Sequence, residues 1–328
     1  MKRYFLLLGA AILVSSCGDD DGPGGIQLAT TTLAEQIVED DAAILDYLET
    51  HFYNYEEFQN PPENFNFRVR IEPIAGDNSD KIPLSQQVSS AVINVSSNET
   101  TFPLPGEETD VPHTYYFLQI REGQGPSPTV GDSTLLKVEG QLLDGFVFDS
   151  TADFGWLPLY ETPLRGFANS VAQMKGGTPE GIVVNPDGSS QITDSGIGLM
   201  IIPSGLAYFN RPPDGTQIPL FAPLVFTFEL GLVTENTDTD NDGIPNMEED
   251  LDGDGFLFND NTDLESEIER GLQIAFPNFR DPDDDGDGVL TRDEISDENG
   301  NIIFPYPDTD NDGTPDYLDF NILREPGN

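Results

Sequence analysis

Val138 to Thr151 reads VEGQLLDGFVFDST. The run that Val138 opens turns over at Asp144-Gly145, a dipeptide suited to the positive φ of a tight turn, and returns through Phe146, Val147 and Phe148. The stretch therefore predicts a β-hairpin, and its far arm delivers Phe148 beside Asp149, an aromatic next to a carboxylate. The segments after it supply more large apolar residues than one hairpin can bury. A binding pocket is the expected use.

Outward from the hairpin, Tyr115 to Ile120 (YYFLQI) alternates like a strand, and short strands, a single helix and turn-rich connections follow. This pattern predicts an α+β arrangement, a small antiparallel sheet wrapped on one short helix. The run from Gly123 to Val233 carries several ordered motifs: EGQGPSPTVGDSTLLKVEG, the hairpin LLDGFVFDST, the short helix RGFANSVAQM, the turn IPSGLAY and the closing strand IPLFAPLVFTFELGLV. In that order they resemble an FKBP-type peptidyl-prolyl cis-trans isomerase domain, over about a third of the chain.

The resemblance implies the same fold, and a proline pocket lined by Phe148, Phe154, Trp156, Leu164, Phe167 and Phe226. Phe167 stands where the family often has a Trp floor. Tyr208 would give its hydroxyl to the substrate carbonyl, and Asp149 would be a polar wall residue. Rotation about an X-Pro bond is slow because its barrier is ~18–20 kcal/mol, and it needs no nucleophile, general acid or cofactor. An apolar cleft that favours the twisted, less polar amide is sufficient. The partners implied are proline-containing unfolded or exported polypeptides. Three residues depart from the family pattern: Val138 for a pocket Tyr, Pro163 for an aliphatic, and Phe209 for a Gly after Tyr208. The loop from Thr178 to Gly198 is also longer than usual. A module that binds proline without much catalysis is therefore the alternative reading.

Composition bounds the rest. In 328 residues there are 60 acidic and 14 basic side chains, a formal charge of −46. That balance excludes a nucleic-acid role, which needs clustered Lys and Arg, and makes cations the natural partners. Roughly half of the carboxylates follow Glu235. One Cys rules out an intramolecular disulfide, and His51 and His113 are too few for a His-rich metal site.

Lys2 and Arg3 precede the apolar run Tyr4 to Val14, which is too short to span a bilayer and reads as a secretory leader. Val14-Ser15-Ser16-Cys17 resembles the bacterial lipobox, so Cys17 is the expected lipidation site and membrane anchor. Residues 18–32, with Asp19 to Asp21, form an acidic tether that fits either the periplasmic or the cell-surface face of the outer membrane. In the extension, residues 33–110, an N-capped amphipathic helix is expected with Leu33, Ile37, Ile44, Leu45, Leu48 and Phe52 on its apolar face and Asp40 among its polar positions. Phe67 to Ile71 (FRVRI) and Ala91 to Val95 (AVINV) read as strands. The extension is either a separate accessory module or a cover for the isomerase-like domain of residues 111–234.

The tail, residues 235–328, repeats DTDNDGIPN at Asp238 as DTDNDGTPD at Asp308. A calcium loop takes side-chain oxygens from positions one, three, five and twelve and needs Gly at six. Asp238, Asp240, Asp242, Gly243 and Glu249 satisfy it, as do Asp283, Asp285, Asp287, Gly288 and Glu294. Asp308, Asp310, Asp312, Gly313 and Asp319 satisfy it with a shorter final acid. A fourth run, Asp250, Asp252, Asp254 and Gly255, has Asn261 in the last place. The first and third loops resemble thrombospondin type 3 repeats and the second an EF-hand, in which Leu290 is expected to pack beneath the loop. Leu264 to Ile274 could be helical. With few apolar residues, the tail is expected to owe its order to calcium.

Overall fold

The computed structural model describes residues 31–324 apart from 101, 103, 187, 189, 273 and 274, so the leader and Cys17 lie outside the described residues. Helix α1 (Leu33–Thr50) opens on a reciprocal capping box: the Thr32 hydroxyl accepts from Glu35 N at 3.2 Å, and Thr32 N donates to Glu35 Oε2 at 3.3 Å. Leu33, Ile44 and Leu48 are buried as expected. Leu45 is exposed, because one residue beyond Ile44 is a 100° turn off the stripe. Phe52 is buried but sits beyond the helix, in strand β1 (His51–Tyr53).

A short helix, α2 (Tyr55–Gln59), follows, and β1 pairs with β2 (Ile71–Pro73). Only the end of FRVRI is therefore strand, and Phe67 turns through φ +56°. The main sheet is antiparallel throughout. It comprises β3 (Ser89–Val95), β4 (Val111–Arg121), β5 (Ser133–Leu142), β6 (Val147–Ser150), β7 (Gly155–Pro158), β10 (Gly196–Ile202) and β11 (Leu224–Thr234). The order is β3-β4-β10-β11-β5-β6, with β7 also on β5. Between them come α3 (Arg165–Ala172) and a small hairpin of β8 (Ile182–Val184) and β9 (Ser190–Ile192), which occupies the long loop. The β5–β6 hairpin closes at Gly145, φ +85°, with Leu142 N donating to Phe146 O at 2.9 Å.

Both faces of the sheet are covered. Phe226, Phe228, Leu230, Met200 and Ile202 point towards α3, whereas Ile197, Leu199, Ile201 and Val225 meet Ile44, Tyr47, Leu48 and Phe52 of the extension. Period-two alternation explains how GIGLMII of β10 can be buried at every residue: each face has its own cover. The extension thus supplies β3 to the sheet edge and α1 to the second face.

The tail is largely irregular, with helix α4 (Leu264–Arg270) ended by Gly271 at φ +79° and the single turn α5 (Thr291–Glu294). It packs on the sheet domain. Leu257 and Phe279 join the main core, Phe279 meets Tyr160 edge-on at 5.6 Å between ring centroids, and Asn246 Nδ2 donates to Gly131 O at 3.0 Å.

Candidate functional site

The hairpin, α3 and β11 bring Phe148, Phe167, Leu164 and Phe226 together. Phe226 meets Phe148 edge-on at 5.7 Å and Phe167 edge-on at 5.2 Å between centroids. Gly140 on β5 makes this possible: a Cβ there would fall 2.6 Å from the Phe148 ring and 2.9 Å from Phe226. Gly166 likewise lets α3 lie on Ile202 and Leu206, where a Cβ would come within 2.8 Å. Neither glycine is marked by the pocket chemistry. Each is required by it.

Tyr208 follows the turn Ser204–Leu206 and packs half-buried against the same cluster. Burial, with the charge of Asp149 added, raises its phenol above the ordinary value, so the exposed Asp149 carboxylate lies within electrostatic reach of the hydroxyl. A cleft of about 420 Å³ adjoins Tyr208, walled by Phe102, Pro163, Ala207 and Arg211 to Asp214. Phe102 comes from the extension, beyond the residues that carry the resemblance. Phe209 is fully buried at φ +48°, a backbone region that favours glycine, and is held there by Phe102 at 5.0 Å and Phe221 at 4.8 Å between centroids.

The turn that carries Tyr208 is anchored from the extension. Asp40, buried on α1, accepts from Ser204 N at 2.7 Å, Ser204 Oγ at 2.6 Å and Gln36 Nε2 at 2.9 Å. Expected at a solvent-facing position, Asp40 is instead a structural acceptor. Burial raises its carboxyl above the ordinary range, and the three donors oppose that shift.

Phe154 and Trp156 do not join the pocket. Strand β7 pairs Leu135 with Trp156, so Leu157 faces the α3 side while Trp156, 56% exposed, points the other way. Phe154, two residues earlier, shares that outward parity and carries Lys137 Nζ at 4.1 Å over its ring.

In the tail the loops share one geometry. Gly243, Gly255, Gly288 and Gly313 at position six have φ between +75° and +107°, and position four is Asn241, Gly253, Gly286 or Asn311, also at positive φ. Oxygens of Asp238, Asp240 and Asp242 lie within 4.8 Å of one another, as do those of Asp283, Asp285 and Asp287. Asp242 and Glu249 of the first loop form a further such group with Asp284 of the second, all three buried. Among the described residues, neither oxygen of Glu249 or Asp284 has a hydrogen-bond partner. Burial and then the neighbouring acids push both carboxyls up to about 10, and Glu294 up to about 9. Buried carboxylates without donors are costly, and a divalent cation is the partner whose chemistry resolves them. The donor set therefore fits calcium.

Asp284 escapes the sequence pattern because it occupies position two, which the twelve-residue rule leaves free. Asp319, at the twelfth place of the third loop, is half-buried, and its Oδ1 accepts from Asn321 N at 3.0 Å and from Asn321 Nδ2 at 3.1 Å. The third loop is more open, yet Gly313 N still donates to Asp308 Oδ2 and Asp312 N to Asp310 Oδ1, each at 3.1 Å. Leu290 does not pack beneath its loop. It is 48% exposed, and Ile295 takes the buried place with Ile244 and Tyr317. Another acidic group, Asp263, Glu267 and Asp281, joins α4 to the start of the second loop, with Arg270 paired to Asp263.

The tail matches one family model, BamM C-terminal, over residues 239–307. No curated protein matches the chain. Among solved structures, it is similar to a peptidyl-prolyl cis-trans isomerase from Pseudomonas syringae pv. tomato, at 24% identity over 37% of this chain and 75% of that one, with a TM-score of 0.30. It is also similar to FkpA from Escherichia coli, at 22% identity over 37% of this chain and 48% of that one, with a TM-score of 0.29. The N-terminal domain of FKBP42 from Arabidopsis thaliana matches at 20% identity over 37% of this chain and 87% of that one, with a TM-score of 0.30.

Proposed function

We propose that this chain is a peptidyl-prolyl cis-trans isomerase that assists the folding of exported proteins, held at the outer membrane by a lipidated Cys17 and carrying a calcium-bound tail. The observation that supports it most is the joining of Phe148, Phe167 and Phe226 in one ring cluster beside Tyr208 and Asp149. The rings, of which Phe148 is half-buried and Phe167 and Phe226 lie buried behind it, offer a surface of low polarity for a prolyl side chain. They favour the twisted amide, which has lost its resonance and part of its dipole, over the planar ground state. The Tyr208 hydroxyl donates to the substrate carbonyl, and Asp149 polarises the rim.

The test is proline-limited refolding of a substrate protein with the full-length chain. The reading predicts acceleration of the slow phase that saturates with substrate and is lost in Phe226→Ala. A second reading, a non-catalytic proline-recognising adhesion module, draws on the packing of Phe167 and Phe226, both nearly fully buried, and on open volume that lies beside Tyr208. Retained binding of proline peptides with no acceleration would select it.

A further inference from the structure

The fourth acidic run lacks an acid at its twelfth place, where Asn261 stands beside Asp260. Asn261 turns away, its Nδ2 donating to Glu267 Oε2 at 2.8 Å and to Phe276 O at 2.7 Å. Asp260, one residue earlier, turns in. It is 6% exposed, its Oδ1 accepts from Leu251 N at 3.0 Å inside the loop, and its Oδ2 has no hydrogen-bond partner among the described residues. Asp250 and Asp252 are the charges that act most on it. Asp250, Asp252 and Asp254 place one oxygen each within 4.8 Å of one another. The backbone wraps as in the other loops, with Gly255 N on Asp250 Oδ2 and Asp254 N on Asp252 Oδ1, both at 3.0 Å.

This loop lies on the pocket helix. Arg165, the first residue of α3, is buried and reaches Asp254 Oδ2 at 3.3 Å and Glu99 Oε2 at 3.1 Å. Its guanidinium stands 4.9 Å from the centre of the Phe256 ring, and Leu257 enters the main core beside it. One guanidinium, shared with Glu99, pairs with a single one of the four loop carboxylates, Asp254. The repulsion it leaves is what a divalent cation would remove.

We infer that Asp250, Asp252, Asp254 and Asp260 form a fourth divalent-cation site, and that filling it fixes the docking of the tail on α3. The inference rests on the reading of the tail as calcium-binding and extends it to a site that no complete loop pattern marks. The helix concerned carries Phe167 and follows Leu164, so the cation acts on the pocket through Arg165 and Phe256. Without the cation, repulsion opens the loop and α3 loses that cover.

The test uses the full-length chain with terbium and calcium ions as probes. Phe258→Trp puts a luminescence donor next to Asn259, whose Nδ2 contacts Asp252 Oδ2 at 3.1 Å. Terbium emission sensitised by this Trp is expected, and it should disappear when Asp260→Asn, which keeps the acceptor for Leu251 N, is added. Near-UV circular dichroism monitors the fold, and Asp252→Asn serves as the second variant where Asp260→Asn disturbs it. In amide exchange, calcium should slow residues 165–172 of the wild type by about tenfold and leave the Asp260→Asn protein unchanged. Emission that survives both substitutions overturns the site, and emission lost without any calcium effect on α3 overturns the coupling. Calorimetry separates the two levels: ions bound elsewhere in the tail with no emission at 258 sink this inference alone, whereas no ion bound anywhere sinks the calcium reading as well.

Discussion

Glu249→Gln is expected to move stability in opposite directions with and without calcium. Glu249 is 1% exposed, neither of its oxygens has a hydrogen-bond partner among the described residues, and burial followed by the charges of Asp284, Asp242, Asp240 and Asp238 pushes its carboxyl from 4.5 up to about 10. Because the folded value lies above the unfolded one, the folded state holds a proton that the unfolded state has released throughout that window. The unfolded state binds fewer protons, so metal-free stability falls as pH rises through it. From pH 4.5 to neutrality the loss on this residue is on the order of 3 kcal/mol, from about 2.5 pH units at ~1.36 kcal/mol each. Gln does not titrate, so the chelated variant should exceed the chelated wild type at neutral pH by ~2–3 kcal/mol, less whatever its own unpaired amide costs. With calcium the sign reverses, since the change removes an acid that can reach the ion with two oxygens. Melting followed by the near-UV dichroism of the Tyr306–Tyr317 pair, 5.4 Å between centroids, measures both in chelator and in saturating calcium. A difference between wild-type and Glu249→Gln stability in chelator that fails to move against the wild type from pH 5 to 7 would refute the reasoning.

The pocket predicts graded losses. Phe226→Ala should abolish most isomerase activity and cost ~3–5 kcal/mol of packing, whereas Tyr208→Phe removes one hydrogen bond worth ~0.5–1.5 kcal/mol. Phe154→Ala and Trp156→Ala should leave kcat/KM unchanged, and a loss with either, in protein whose dichroism is native, would return them to the pocket. Asp40→Ala should cost ~1–3 kcal/mol in urea unfolding, because it orphans the buried Ser204 N–H, and should lower kcat/KM by shifting the turn before Tyr208; an unchanged midpoint would count against that anchor. Cys17→Ser should release the chain from the membrane fraction, and persistence there after a salt wash would end the lipoprotein reading.

The hairpin was legible because alternation and Asp144-Gly145 are local signals, and the tail loops because ligand spacing is written directly into the chain. What escaped depends on partners far away in sequence. The placement of Phe154 and Trp156 is a matter of parity, set by the register of β7 on β5, and one residue of slip would have sent both inward. Asp40 reads as a solvent-facing acid until Ser204 is beside it. Asp260 sits one position short of the rule, and only the folded loop places its carboxylate on Leu251 N while Asn261 bonds Glu267.

These long-range partners converge on one region of the fold. Asp40 of the extension holds the turn at Ser204 that leads to Tyr208, while Asp254 and Phe256 of the tail hold Arg165 at the start of α3. Ile202, on the strand before that turn, packs against Gly166 in the first turn of the same helix. Two of the pocket walls are thus positioned from outside the isomerase-like domain, one by a buried carboxylate and one by the acidic loop proposed above as a cation site. On the proposed cation reading, filling that loop acts through Arg165 on the helix that carries Phe167, which ties the acidic tail to the apolar pocket.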